Sequence, residues 1–137
     1  KYLNSNKSYI ERIENKKVHN FNKKNIFSAD FSKIFESDFI IICVPTPLKK
    51  DQIPDLSFIK NAVSKIKPYI KKGQTIILES TSYPGTTNDL IVKILSKSFI
   101  VGKEIFVGFS SERIDPGRND NKIQKINIKT HIMQACR

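Results

Sequence analysis

The chain is poor in the residues that most covalent and metal devices need. Its two cysteines, Cys43 and Cys136, stand far apart in 137 residues. That pattern excludes a disulfide scaffold and fits reduced thiols in the cytosol. The two histidines, His19 and His131, are isolated in polar segments, so neither a metal cluster nor a Ser-His-Asp arrangement has the partners it requires. No apolar run approaches the roughly 20 residues that span a bilayer. The opening stretch Lys1-Tyr2-Leu3-Asn4-Ser5-Asn6 is polar, without Met and without a charged segment leading into an apolar one, so no secretory signal is expected. Acidic residues are scarce too, 13 against 24 Lys and Arg, for a formal charge of +11. The lysines come in scattered pairs such as Lys16-Lys17, Lys23-Lys24, Lys49-Lys50 and Lys71-Lys72, among many Asn and Ile. With no Arg–aromatic stripe and no zinc, helix-turn-helix or RNA-recognition signature, the excess reads as a solvated surface rather than a nucleic-acid face. A positive field can still steer an anionic ligand.

What is present is a repeated arrangement, within a length that allows one domain with a modest core. Three apolar runs, Phe39-Ile40-Ile41-Ile42-Cys43-Val44, Thr75-Ile76-Ile77-Leu78 and Ile105-Phe106-Val107-Gly108-Phe109, are each followed at once by a polar motif. Continuous β-branched runs bounded by turn residues predict strands buried on both faces, as in parallel sheets. Ligands of open α/β sheets bind beyond the carboxyl ends of the strands, so three polar loops are expected to share one rim.

The connecting segments read as helices. Leu56, Ile59, Val63, Ile66 and Ile70 recur at helical spacing, predicting a helix over residues 56–70 with Asp55 as N-cap and Pro68 ending it early. Thr86 or Thr87 is expected to cap another helix with Asp89 in its first turn and Leu90, Ile91, Ile94 and Leu95 on its apolar face. Upstream, residues 8–15 predict a short helix, 16–24 a loop and 25–29 a short strand, and Asp30 can cap a brief helix carrying Phe31, Ile34 and Phe35. The order β-α-β-α-β-α-β with short links implies a parallel sheet with right-handed crossovers. Beyond Asn119 the pattern decays, and residues 122–137 alternate Ile with polar residues without a clear core face.

The loops carry the candidate chemistry. In Val44-Pro45-Thr46-Pro47 the prolines fix φ and remove two donors, presenting Thr46 and backbone carbonyls outward, or simply ending a strand. Ser80, Thr81 and Ser82 place three hydroxyls at a strand end before Pro84-Gly85-Thr86-Thr87 turns into a helix N-terminus, which suits anionic or polar ligands; the alternative is that the hydroxyls only cap the helix. In the third loop Glu112 stands beside Arg113, either as a general base that orients water or as an exposed ion pair. Cys43, mid-strand, reads as a small core residue.

Together the residues Ile42-Cys43-Val44-Pro45-Thr46-Pro47, Pro54-Asp55-Leu56, Leu78-Glu79-Ser80-Thr81, Tyr83-Pro84-Gly85-Thr86-Thr87 and Ser111-Glu112-Arg113-Ile114-Asp115-Pro116-Gly117 closely resemble the UDP-glucose/GDP-mannose dehydrogenase family, and within it the UDP-N-acetyl-hexosamine 6-dehydrogenases of surface-polysaccharide synthesis. The resemblance implies a Rossmann-like parallel sheet flanked by helices and a two-step, NAD-dependent oxidation of a UDP-sugar C6 alcohol to a carboxylate by a cytoplasmic homo-oligomer. It implies that NAD lies against Val44, Pro45, Thr46, Ser80 and Thr81. Thr81 and Glu112 would handle water in the hydrolytic step, and Glu112, Arg113, Ile114 and Asp115 would lie along the nucleotide sugar. The five glycines, Gly73, Gly85, Gly102, Gly108 and Gly117, cannot make G-x-G-x-x-G. The expectation is therefore a partial NAD-binding domain over residues 1–120, lacking the first Gly-rich βα unit and the family's catalytic Cys, Lys and Asn, with a divergent tail over 121–137. An internal fragment of this kind is expected to be inactive alone. The other reading is a non-catalytic Rossmann-like module that binds a nucleotide or another polyanion through its basic surface.

Overall fold

The computed structural model describes residues 3–8, 13–23, 25–110 and 131–133. They fall into two compact units, Lys1–Phe31 and Ser32–Arg137. In the first, a 3-10 turn Leu3–Ser5 precedes helix α1, Asn15–Asn22. The helix thus lies where a polar loop is expected. Of the predicted helix over 8–15, residues 9–12 lie outside the described set, and Ile13 and Glu14 are not helical. The physical reason is local: Lys16 and Lys17 are good helix formers, and Val18, buried, with Phe21 one turn on gives the segment an apolar edge to pack. Asn15 Oδ1 accepts the Ser8 N–H at 2.8 Å. The Asn22 amide donates to Leu3 O at 2.7 Å and Asn6 Oδ1 at 2.6 Å. Phe21 stacks on Phe27 with centroids 5.4 Å apart. Residues 25–29 form no strand.

The second unit holds the sheet. Strands β1 (Phe39–Ile42), β2 (Thr75–Leu78) and β3 (Phe106–Phe109) are parallel neighbours in that order. A fourth short strand, β4 (His131–Met133), lies antiparallel beside β3. The segment expected to be a divergent tail therefore contributes to the sheet, which is mixed at that edge. Helix α2, Ser57–Ile66, crosses from β1 to β2 and passes into a 3-10 turn Lys67–Tyr69, so Pro68 ends the α-helix early as expected. Asp55 accepts the Ser57 N–H at 2.9 Å, which holds its carboxyl below the usual range. The third helix, α3, is π-helical over Thr87–Val92 and α-helical over Lys93–Leu95. The buried side chains of α2 (Ile59, Val63, Ile66) and α3 (Ile91, Leu95) meet Ile40, Ile42, Ile76, Leu78 and Val107 in one core, each full burial contributing about 1.5–3 kcal/mol.

Burial on both faces does not hold for β1. Ile40 and Ile42 are buried, whereas Phe39 and Ile41 are 66% and 55% exposed. Their register partners Thr75, Ile77 and Phe106 on the same face are only half-buried. Among the described residues, one face of the sheet carries the core, and the other is only partly covered, least so at β1. Cys43 follows β1 rather than sitting within it, and it is exposed, not part of the core.

Gly85 sets the turn from β2 into α3. Its φ is +95°, and a Cβ there would stand 2.9 Å from Asp89 Oδ2. Gly73, at φ +89°, has nothing within 4 Å of an added Cβ. Gly85→Ala and Gly73→Ala are each expected to cost about 1–3 kcal/mol from the left-handed backbone, because the exposed Asp89 carboxylate can turn away from an added Cβ. Urea unfolding of the two variants checks this; a clearly larger loss in Gly85→Ala would show that Asp89 is held in place.

Candidate functional site

The three parallel strands leave their carboxyl ends on one edge, and the first two motif loops are joined there. Pairing of β1 with β2 closes with the Glu79 N–H on Ile42 O at 2.9 Å. Beyond that point the ladder is replaced by side chains. Ser80, 3% exposed, donates its hydroxyl to Val44 O at 2.6 Å, and the Thr46 hydroxyl donates to Thr81 O. This crossed pair explains why the strand stops at Ile42 although the apolar run continues to Val44: the Val44 carbonyl is bound by a side chain from the next loop. Val44 itself packs against the core. Ser110 N–H on Leu78 O at 2.9 Å brings the exit of β3 to the same edge.

The expected site residues separate accordingly. Val44, Pro45, Thr46, Ser80 and Thr81 are brought together. Ser80 is not the free hydroxyl the sequence suggests, because its proton is committed to holding the first loop. Thr81 is exposed, and its hydroxyl makes no hydrogen bond among the described residues. Glu112, Arg113, Ile114 and Asp115 lie outside the described residues, as does Cys136. Cys43 Sγ lies 4.0 Å from Glu79 Oε2 at the same edge. Among the described residues no three His, Cys, Asp or Glu side chains gather as a metal site, and no helix is long and apolar enough to cross a membrane.

The helix that follows is not capped by a threonine side chain. Thr86 donates its hydroxyl backward to Tyr83 O at 2.8 Å, and Thr87, 6% exposed, makes no side-chain hydrogen bond among the described residues. Thr87 instead helps line a cavity of about 460 Å³ with Tyr83, Asn88 and Phe109. These four were missed by sequence reasoning, which assigned the threonines to capping. The available signal was that two adjacent threonines compete for a single cap.

A family model described as the NAD binding domain of the UDP-glucose/GDP-mannose dehydrogenase family matches residues 1–129. The chain is 37% identical to Protein CapL of Staphylococcus aureus over 137 residues, covering 98% of this chain and 31% of that protein. It is 45% identical to a UDP-N-acetyl-D-mannosamine dehydrogenase of Methanocaldococcus jannaschii over 108 residues, covering 72% of this chain and 24% of that one. Among solved structures, NDP-N-acetyl-D-galactosaminuronic acid dehydrogenase of Methanosarcina mazei Go1 superposes with a TM-score of 0.82 at 26% identity, over 95% of this chain and 29% of that one. GDP-mannose dehydrogenase of Pseudomonas aeruginosa, solved as a ternary complex, gives 0.75 at 27% identity, over 82% of this chain and 28% of that one. The chain spans about a third or less of the length of these relatives. With its parallel sheet, its rim of joined motif loops and this match, the chain belongs to the UDP-glucose/GDP-mannose dehydrogenase family, as its NAD binding domain.

Proposed function

We propose that this chain serves as part of the cofactor cleft of an NAD-dependent nucleotide-sugar 6-dehydrogenase, which oxidises the C6 alcohol of a UDP-sugar to a carboxylate for surface-polysaccharide synthesis. The observation that carries the reading is the crossed pair of hydrogen bonds, Ser80 to Val44 and Thr46 to Thr81, at adjacent parallel strand exits. It fixes two loops against each other at the edge where α/β sheets bind nucleotides.

The residues present fit one part of such a cofactor. The free hydroxyl of Thr81 and the backbone from Val44 to Thr46 supply polar contacts on a rigid edge, and Pro45 and Pro47 stiffen it. None of the five glycines lies in a G-x-G-x-x-G run, so the chain offers no backbone cradle of that kind for a pyrophosphate. NAD, when bound, accepts the hydride removed from C6. This chain's own residues would hold the cofactor's edge (Val44, Pro45, Thr46, Ser80, Thr81), orient water (Thr81, Glu112) and lie along the sugar nucleotide (Glu112, Arg113, Ile114, Asp115).

The test is titration of the isotope-labelled 137-residue chain with NAD, read by amide shifts. Shifts are expected at Val44, Thr46, Ser80 and Thr81, and Ser80→Ala is expected to weaken binding by about fivefold through the loss of one hydrogen bond. The chain alone should make no steady NADH from UDP-sugars. Steady turnover would contradict the partial cleft. Shifts spread over the lysine-rich surface, and erased by salt, would favour a polyanion-binding module instead.

A further inference from the structure

The sheet has an unguarded edge. Among the described residues β1 is an outermost strand, paired with β2 on one side only. The ladder shows which of its backbone groups are engaged. The Thr75 N–H bonds Asp38 O and the Glu79 N–H bonds Ile42 O, each at 2.9 Å, and a parallel strand turns alternate residues toward its neighbour. Asp38, Ile40 and Ile42 therefore face β2, and the N–H and C=O groups of Phe39 and Ile41 point away from the sheet. No other backbone bond reaches these two among the described residues. Their side chains are also the exposed ones of the strand, and Phe39–Ile42 holds no charge, proline or bulge to guard it. Unpaired strand groups of this kind recruit another strand, which is why proteins normally blunt such edges.

The edge fits a copy of itself. We propose that β1 is a self-association surface, on which two copies of this chain pair their β1 strands antiparallel about a two-fold axis at Ile40. In that register Phe39 of either copy stands opposite Ile41 of the other, and each such pair exchanges both of its N–H···O bonds. Strand alternation then sets Phe39 beside Ile41 on the partly covered face and Ile40 beside Ile40 on the core face, apolar cross-strand pairs that stabilise a sheet. The contact closes, because a two-fold pairing uses the same edge on both copies. Pairing of β1 with the β4 edge of a next copy would instead grow without limit. Two four-residue strands bury well under the about 1,200 Å² of a stable interface, so the dimer is weak. Each copy carries a formal +11, so salt tightens the dimer by screening the repulsion, the opposite of its effect on a bound polyanion. This surface is independent of the cofactor edge.

The test combines sedimentation of the 137-residue chain with amide hydrogen exchange, from dilute to concentrated solution and at low and high salt. A monomer–dimer equilibrium is expected, with a dissociation constant on the order of 100 μM that falls as salt rises. In dilute solution the Ile40 and Ile42 amides should exchange slowly, held by β2, while those of Phe39 and Ile41 exchange fast. In the dimer all four should be slow. Ile41→Lys places an ammonium opposite Phe39 of the second copy and should weaken the dimer by about tenfold or more. Ile41→Val, which keeps the apolar pair, should stay within about twofold. Protection of Ile40 and Ile42 in each variant shows that the sheet is intact. A chain that stays monomeric at every concentration and salt, or a dimer unmoved by Ile41→Lys, overturns the proposal. So do assemblies that grow beyond a dimer, and fast exchange at all four amides. Slow exchange of Phe39 and Ile41 in the dilute monomer also overturns it, because another segment of the same chain then holds the edge.

Discussion

Gln74→Leu is expected to destabilise the chain by about 3 kcal/mol, lowering its melting temperature by roughly 10 °C. Gln74 is fully buried between the 3-10 turn Phe31–Glu36 and the start of β2. Its side-chain carbonyl accepts the Lys71 N–H at 2.8 Å, and its amide donates to Ile34 O at 2.7 Å and Ser37 O at 2.6 Å. Two facing carbonyls and one facing N–H admit only this orientation of the amide. Leucine fits the volume but leaves those three backbone groups without their partner. Each unmet buried group costs about 1–3 kcal/mol, and here the three flanking residues are half-buried, so water recovers part of the loss. Gln74→Glu should be worse at neutral pH, because a carboxylate would face two carbonyls. That carboxyl's folded pKa would be raised, so the folded state binds the extra proton. Stability is then full below the unfolded pKa and falls as pH rises through the folded one. Thermal melts at neutral and acid pH measure both effects. A loss below about 0.5 kcal/mol in Gln74→Leu would show that the three groups find other partners.

Gln74 also shows why part of this structure is legible in the sequence and part is not. The strands announce themselves, since runs such as Ile76-Ile77-Leu78 have few other uses, and Ile59, Val63 and Ile66 fall on one helical face and are buried there. That the first two loops meet at one rim follows from the same pattern. Hydrogen-bond partners do not follow from it. Gln74 meets Ile34 and Ser80 meets Val44 across separations of 40 and 36 residues, and nothing local marks either pair. A buried amide and a committed hydroxyl look, in sequence, like polar residues free for a ligand. Burial on one face or two is equally hidden, because Phe39 and Ile41 read as core residues until the sheet shows an open side. Helix α1 was obscured by its own composition. With Val18 as its single buried residue, it has almost no periodic signal, and its stability rests on Asn22 and Asn15 contacts that no pattern of hydropathy reveals. The π-helical start of α3, in which the Lys93 N–H reaches back to Asn88 O, likewise depends on how the turn at Gly85 delivers the chain.

The largest kinetic effect is expected from Glu112→Gln in a full-length enzyme carrying this segment. Glu112 lies two positions beyond Ser110, where the chain leaves β3 on the edge shared with Thr81. Oxidation of an alcohol to a carboxylate takes two hydrides and one water, and the water must lose a proton as it attacks. In the proposed reaction Glu112 would be the base that takes this proton, and Glu112→Gln keeps its size while removing that basicity. General acid–base groups contribute about 10²- to 10⁴-fold, so steady turnover should fall by that much while the first oxidation persists. A rapid-quench experiment should therefore show a burst of NADH followed by slow release of the uronate. Glu112→Asp, which keeps the base but shortens its reach, should fall between the two. If Glu112→Gln leaves steady turnover unchanged, Glu112 is an ion-pair partner of its neighbour Arg113 and the water is activated elsewhere. If both burst and turnover are lost together, the residue holds the sugar nucleotide rather than the water. The two failures point to different rearrangements of the rim, and the size of the burst separates them.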